Sequence, residues 1–434
     1  MNRSIRRSAV AVVAVGVAAV LGLSACSSSS STASAPDTTK KVTLSMVWWG
    51  DATRTAVTQK AVQGFEKLHP NITVDMQALP FDGYYDKLST QIAANTAPDV
   101  QQMTSDFLVQ YGNGGALLDL DKVSKSQLDS ATTKQGAIDG KQYGVPTGIS
   151  TQAIVANPVL FKAAGVALPD DKTWTWDDYE KIAKKISDSG QPGVTGSTAL
   201  GTDISQIGTW FRQDGKSLFT KDGKIGFTQA ELTDFFTFAK KMVTTGAAQT
   251  ADEASQEPSL PIEQSSTATN KVAMGFWQTS QLTSLEAVSK DGLKLLRIPS
   301  KSGKAGGAKM AFGASQYWAA SSRTKNPTEA QELIDYLANS TTAGKDLGVT
   351  RGSPANSAVR TAVLPLLSPT DKQITDFVSA ITPEVVNIPL NPNGSSTMQS
   401  NLTRYTAEVL FNRQTPAEAA KNFIGETQTS ISSQ

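Results

Sequence analysis

Few side chains in this sequence are equipped for covalent chemistry. Its 434 residues include one histidine and one cysteine. His69 precedes Pro70 at a helix stop, where a positive charge is mildly favoured. A Ser–His–Asp arrangement there would need an oriented partner that the surrounding sequence does not offer. One histidine and one cysteine cannot build a His/Cys zinc site. The run Gly112 to Gly115 lacks the spaced glycines and the Lys-Ser/Thr ending of a phosphate loop, and Asp177-Asp178 reads as the negative first turn of a helix. Carboxylates number 39, so counting alone leaves a glycosidase-like acid pair open, yet no pair can be set at the required separation. No enzyme, cofactor or metal is therefore expected. What remains is the chemistry of recognition. Of seven tryptophans, Trp48, Trp49, Trp210 and Trp277 fall where strands end or loops begin. Flat rings cover the C–H faces of a sugar, and carboxylates and amides pair with its hydroxyls. Each buried hydroxyl left unpaired costs about 1–3 kcal/mol, so such a site needs accurately placed polar groups.

The elements that must hold these groups begin with a targeting segment. Arg3, Arg6 and Arg7 form a positive head, Ala9 to Val20 is apolar, and small residues follow. That is the order of a secretory signal, too short for a permanent span. Cys26 has no disulfide partner. Directly after Leu23-Ser24-Ala25, it resembles the lipobox of bacterial lipoproteins, which implies cleavage before Cys26 and lipid (palmitate or another acyl group) on its sulfur. The alternative is an ordinary signal peptide with a stray thiol. Residues 1–25 are thus expected to be a signal peptide. Residues 26–41, almost all Ser, Thr, Ala, Asp and Lys, are expected to be a flexible tether. The formal charge of +1 drops slightly below zero without the three arginines, which leaves no electrostatic footprint for nucleic acid or broad membrane adhesion. No later apolar run reaches the ~18 residues of a membrane span.

From Val42 the pattern alternates between strand and helix. Val42, Leu44, Met46 and Trp48 share one face of a strand, and Gly50-Asp51 breaks it. Val57, Ala61, Phe65 and Leu68 recur at helical spacing; Ile72, Val74, Met76 and Ala78 alternate as a second strand. A helix over 84–95 with Tyr85, Leu88 and Ile92 inward, a short strand at Pro98-Asp99-Val100 and a helix near 107–111 follow. This order argues an α/β domain with a largely parallel sheet. Tyr143 to Pro146 and Gln152 to Asn157 read as strands crossing out of that unit. A mainly helical stretch comes next, with Thr175 as N-cap of a helix over 176–189 and further helices over 204–212 and 231–243. Strands are expected over 271–277, 293–298 and 316–320. Asn326, Pro327 and Glu329 suggest a capped helix start, and two helices close the chain.

The order of these motifs resembles the extracellular solute-binding proteins of bacterial ABC importers, in the group that carries oligosaccharides. The pieces are Trp48-Trp-Gly-Asp51, Phe65-Glu-Lys-Leu-His-Pro-Asn71, Tyr85-Asp-Lys-Leu88, Ala97-Pro-Asp-Val100, Tyr143-Gly-Val-Pro146, Trp174-Thr-Trp176, Met274-Gly-Phe-Trp277 and Asn326-Pro-Thr-Glu-Ala330. The resemblance implies a two-lobed α/β periplasmic-binding-protein-like fold, with hinge-crossing strands and ligand held between the lobes. The N-terminal lobe is expected over 42–150 plus about 311–350, and the C-terminal lobe over 151–310 plus about 351–434. It also implies permease subunits with a separate ATPase as partners, and a monomer lipid-anchored at the outer face of the cytoplasmic membrane. Thr147 follows Tyr143-Gly-Val-Pro146 where many members carry an aromatic.

Candidate ligand contacts follow the strand ends. Trp49, Gly50 and Asp51 close the first strand; Asp51 either accepts from sugar hydroxyls or caps the next helix. Tyr84 stacks or hydrogen-bonds, while Tyr85 fits the core stripe. Asp106 is either a ligand group or helix N-terminal charge. Trp277, with Gln278 after it, suits a turn and a stacking role. Trp210 lies inside a helical pattern and is either core or site. Ser315 and Tyr317 follow Gly313 at a strand entry, and Arg351 either forks onto hydroxyls or bridges the lobes. Rival readings are an exported glycan hydrolase, a surface adhesion or sensor protein, and a binding protein for a polyol, glycerophosphate or peptide. A phosphate cargo would want a cluster of Lys or Arg that the sequence does not reveal.

Overall fold

Two β-sheets organise the chain in a computed structural model that describes residues 40–50, 52–79, 83–220, 222–388, 391–392 and 394–432. The signal peptide, most of the tether and Cys26 lie outside the described residues. The strands are β1 Val42–Trp49, β2 Ile72–Leu79, β3 Val100–Met103, β4 Ala137–Ile138, β5 Lys141–Gln142 and β6 Val145–Ser150. They continue with β7 Gln152–Ala156, β8 Thr195–Ser197, β9 Val272–Gln278, β10 Lys294–Leu296, β11 Gly313–Ala320 and β12 Ser353–Pro354. The first sheet has the order β12-β6-β11-β3-β1-β2 and the second β10-β7-β9-β8.

In the first sheet β1 pairs in parallel with β2, from Val42↔Ile72 to Trp49↔Leu79, and with β3 on its other side. The alternation read from the sequence puts Val42, Leu44, Met46 and Trp48 into one hydrophobic cluster, with Phe65 of the helix Ala52–Leu68 and Leu333 and Ile334 of the helix Pro327–Asn339. The opposite face of β1 is covered too. Val47 and Trp49 join Tyr84, Leu88, Leu108 and Tyr111 from the helices Tyr84–Ala93 and Ser105–Asn113. A strand buried on both faces belongs to a sheet with helices on each side. Asp99 ties this sheet together, its carboxylate accepting from the backbone N–H and the hydroxyl of Ser45 on β1, both at 2.8 Å.

The second sheet is packed against an aromatic-rich cluster that holds Trp176, Tyr179, Phe211, Phe235, Phe236 and Phe423. Thr175 caps the helix Trp176–Ser187 as expected, in a reciprocal box with Asp178, and those hydrogen bonds hold the Asp178 carboxyl below its ordinary range. The expected cap at Asn326 is not formed. Its backbone, at φ −129° and ψ 60°, departs from extended cap geometry, and its side chain makes no cap hydrogen bond; Pro327 alone starts that helix.

The sheets are joined through Thr151, a single residue between β6 and β7. A second crossing leads from β10 to β11. The third departs from the boundary drawn at 351, because Ser353 and Pro354 pair with Ile149 and Gly148 of β6 in the first sheet. Two glycines allow this. A side chain on Gly148 would run into the carbonyl of Arg351, and Gly352, at φ 84°, lies against Ser315. Beyond it, the helix Pro369–Ile381 buries Ile374, Phe377, Val378 and Ile381 in the same cluster as Leu44 and Trp48, a cluster that also takes Ala153 and Val155 of β7 and Leu295 of β10. One apolar core therefore reaches both sheets.

Candidate functional site

β1, β2 and β3 run parallel and end at Trp49, Leu79 and Met103. β6 is antiparallel to β11, and β11 to β3, so β6 ends on that same edge, at Ser150. β11 enters there, with a register shift around Gln316. In the second sheet Gln152, which opens β7, faces Gln278, which closes β9. The carboxyl ends of parallel strands from both sheets thus meet at Thr151, and in open α/β sheets ligands bind beyond such ends. Ser150 knits the junction, with its hydroxyl 3.3 Å from Gln278 Oε1, 3.2 Å from Thr279 Oγ1 and 3.3 Å from Ser280 Oγ.

Around this junction lie several buried polar atoms with no hydrogen-bond partner. They are Ser315 Oγ and Gln316 Oε1 at the start of β11, Gln152 Oε1 at the start of β7, and Ser353 Oγ on β12. Buried polar groups in native proteins are nearly always paired, and each that is not costs about 1–3 kcal/mol. Four hydroxyl and amide groups on adjoining strand ends are the donors and acceptors that a polyhydroxylated guest would satisfy.

Two cations stand behind them, each with a structural task. Arg54 donates to the carbonyls of Thr350 at 2.7 Å and Trp49 at 3.4 Å. Arg351, only 5% exposed, donates to Gln102 Oε1 at 2.8 Å and Thr58 Oγ1 at 3.0 Å, with Trp318 beneath its guanidinium. Both partners belong to the first-sheet side. These contacts hold the Arg351 guanidinium against the strand end of β3 and the helix Ala52–Leu68.

The aromatics divide differently from the sequence reading. Tyr84 is 1% exposed, its ring edge-on to Trp49 at 4.9 Å, its hydroxyl donating to the Gln102 carbonyl at 2.8 Å. Burial pushes that hydroxyl's pKa well up. Tyr85, expected in the core, is half-buried and stacks on Phe107 with centroids 3.5 Å apart and planes 7° apart. Trp49 is buried in the same cluster. Tyr317 is buried with its hydroxyl unpartnered and its pKa raised by desolvation. Trp210 is core: it packs against Trp176, Phe235 and Phe238, with the Lys301 ammonium 4.3 Å from its ring centroid.

Trp277 lies on strand β9 rather than in a turn, opposite Ala153. It stays half-buried, and its indole N–H donates to Thr267 Oγ1 at 2.8 Å. Thr147 donates to the Gln316 carbonyl at 3.2 Å, and Gly50 to the Leu79 carbonyl at 3.2 Å; both are half-buried. Asp51 lies outside the described residues, as does the side chain of Asp106. Of the residues singled out in the sequence, Gly50, Thr147, Trp277, Gln278 and Ser315 are half-buried, whereas Tyr84, Trp210, Tyr317 and Arg351 are buried. Sequence reasoning missed Tyr85, Phe107, Ser150, Gln152, Gln316 and Ser353. Of these, Tyr85 adjoins Tyr84, Gln316 lies between Ser315 and Tyr317, and Phe107 follows Asp106, all positions singled out in the sequence. Among the described residues no group of three or more His, Cys, Asp or Glu is arranged to hold a metal, and no helix is long and apolar enough to cross a membrane.

Against known proteins, residues 49–343 match a family model described as bacterial extracellular solute-binding protein. The chain is similar to a maltodextrin-binding protein, MdxE, of Bacillus subtilis, at 26% identity over 388 residues, 86% of this chain and 85% of that one. It is 30% identical over 155 residues to an uncharacterized lipoprotein of Streptomyces antibioticus, across 35% of this chain and 34% of that one. Of the length of several curated relatives, between 34% and 47% is spanned. A solved structure of an extracellular solute-binding protein family 1 member from Alicyclobacillus acidocaldarius superposes with a TM-score of 0.73 at 27% identity, covering 90% of this chain and 99% of that one. The two-sheet α/β fold is shared with it.

Proposed function

We propose, from the premise that this chain belongs to the bacterial extracellular solute-binding proteins, that it captures an oligosaccharide outside the cell and hands it to a membrane permease pair driven by a separate ATPase. As a member of that family it is a binding protein and not an enzyme, with an α/β periplasmic-binding-protein fold of mixed sheets. The reading of an exported hydrolase is thereby set aside. One observation carries the choice of cargo: unpartnered hydroxyl and amide atoms lie on strand ends that both sheets bring to Thr151, and the half-buried Trp277, Tyr85 and Phe107 belong to elements that end or begin on the same edge. Ser315, Gln316, Gln152 and Ser353 supply hydrogen bonds, and Trp277 with the Tyr85–Phe107 pair supplies faces for sugar C–H groups. The similarity to a maltodextrin-binding protein supports the same class of ligand.

Capture follows from the junction at Thr151. A guest that touches both sheets gains its full set of contacts only when the angle between them narrows, so binding favours the closed form. Lipidation at Cys26 would keep the protein at the outer face of the membrane, and two acyl chains would hold it where one is marginal. The experiment is a thermal-shift screen of the purified protein against mono- and oligosaccharides, followed by calorimetry, since a ligand that binds only the folded state raises its apparent stability. Stabilisation by an oligosaccharide, with a smaller radius of gyration on saturation, is expected. Stabilisation by a peptide or a polyol alone would overturn the carbohydrate reading.

A further inference from the structure

A cavity of about 320 Å³ shares no lining residue with that junction. Among its walls are Arg212, Lys216 and Lys309, with Leu218, Phe219 and Asn387 between them, and no carboxylate is present among its described lining residues. Arg212 closes the helix Ile204–Arg212 and spends two donors on neutral acceptors, the Lys309 carbonyl at 3.0 Å and Thr209 Oγ1 at 2.7 Å. Burial without a facing anion pulls its pKa down to about 10, which still leaves it charged at neutral pH. The Lys216 ammonium stands 3.6 Å from Glu231, a carboxylate already accepting from Thr228 in a helix cap. Lys309 is fixed by its main chain, in the left-handed region at φ 50°. Arg212 thus keeps a charge that no anion faces at the cavity wall, with the exposed Lys216 and Lys309 among the other lining residues, and an oxyanion there would form charge-assisted hydrogen bonds.

The cavity's size sets the guest. It lies at the small end of ligand pockets, which run from about 300 to 1,000 Å³, so a molecule of monosaccharide dimensions fits and a chain of sugars does not. The apolar walls at Leu218 and Phe219 favour an organic body over a bare ion. We propose that this cavity binds a small organic oxyanion of hexose size, bearing a phosphate or a carboxylate, at a site separate from the strand-end junction. The guest would also pin two crossing segments to the second sheet's helices. Lys309 lies on the approach to β11, and Met310 beside it accepts from the N–H of Val386, another lining residue.

The test is calorimetry and thermal shift on the purified protein at fixed ionic strength. Glucose 6-phosphate and galacturonate serve as probes, with glucose as the neutral control. Stabilisation by at least one anion and none by glucose is expected, and the anion that binds more tightly identifies the phosphate or the carboxylate class. Lys309→Gln and Lys216→Gln should each weaken binding about tenfold, the loss of one charge-assisted contact, while leaving the melting temperature of the unliganded protein unchanged. Arg212→Gln should abolish binding, but Arg212 also holds the Lys309 carbonyl, so the lysine variants decide. No stabilisation by either anion, or equal affinity in both lysine variants, overturns the proposal. Neither result bears on oligosaccharide binding, which the screen above reads separately.

Discussion

Replacing Arg297 by methionine should cost the fold about 2–4 kcal/mol. Arg297 is 6% exposed, at the point where the chain leaves β10. Its Nε and Nη2 donate to the two Glu384 oxygens at 3.0 and 2.9 Å, and its Nη1 lies 3.2 Å from both oxygens of Asp171. Its own N–H donates to Asp171 at 2.9 Å, and its carbonyl accepts from the Trp174 indole at 3.1 Å. One guanidinium thus ties two other stretches of chain to its own. Methionine keeps the apolar stem but leaves two carboxylates facing each other. Breaking a fully buried pair costs about 3–5 kcal/mol. The side chains of Asp171 and Glu384 retain 18% and 28% exposure, so water recovers part of the loss and the lower range applies. Spread over the unfolding entropy of a chain this long, that is a fall of about 3–5 °C in melting temperature. Urea denaturation followed by circular dichroism gives the free energy directly. A loss below about 0.5 kcal/mol, the size expected of an exposed ion pair, would refute the claim that Arg297 is an internal tie.

Other substitutions probe the site and its supports. Trp277→Ala should weaken oligosaccharide binding about tenfold by calorimetry, from the loss of one aromatic face, while far-ultraviolet circular dichroism stays unchanged; unaltered affinity would remove Trp277 from the site. Tyr317→Phe removes a buried hydroxyl without a partner and should leave the melting temperature equal or higher; a clear fall would mean that the hydroxyl is used. Gly148→Ala drives a methyl into the Arg351 carbonyl and should cost about 1–3 kcal/mol in denaturant unfolding. The cap carboxylates Asp178, Glu231 and Glu418 all have folded pKa values depressed by hydrogen bonds from their capping threonines. Their contribution is present above the ordinary values of 3.8 and 4.5 and is lost as pH falls through the lower folded values. Thr175→Ala should therefore flatten the acid-side loss of melting temperature between pH 5 and pH 3 relative to wild type, with wild-type behaviour counting against the cap.

Much of the first sheet was legible because period-two alternation is a strong signal when one face meets helices. Val42 to Trp48 declared one buried face, and Thr175 as a cap, with Tyr179, Ile182 and Ile186 at helical spacing, declared the helix that follows it. The Tyr84–Tyr85 choice was not legible. Leu88 lies four residues after Tyr84 and three after Tyr85, and both spacings suit a helix stripe; docking against Trp49 decides between them. The helix Pro369–Ile381 carried a readable pattern, Ser368-Pro369 at its start and Ile374, Phe377, Val378 and Ile381 at helical spacing, that the sequence reading passed over. β12 carried none, since two residues have no period, and it exists through its partner β6. That pairing moves the Arg351 segment to the first sheet. The orphaned atoms of Ser315, Gln316, Gln152 and Ser353 were equally out of reach, because being unpaired is a property of neighbours rather than of residue type.

The position of the apolar core constrains how the two sheets can move. One cluster holds Ile149 of β6, Ala153 and Val155 of β7, Leu295 of β10 and Trp318 of β11, so the strands flanking Thr151 are packed on both sides of the crossing. Separating the sheets outright would expose that core at roughly 25 cal/mol for each Å², which a folded chain of ordinary marginal stability does not tolerate. The capture proposed above therefore requires a pivot on the packed side and an opening on the side that is not packed. The side rich in unpaired hydroxyl and amide groups is the strand-end edge at Gln152, Ser315, Gln316 and Ser353. A substitution that enlarges a side chain on the packed side and away from Trp277, such as Leu295→Phe on β10, should wedge the pivot and alter affinity without touching a guest. Comparison of its radius of gyration with that of wild type, each with and without saturating oligosaccharide, reads the effect. Unchanged dimensions and unchanged affinity in a folded variant would mean that the pivot lies elsewhere.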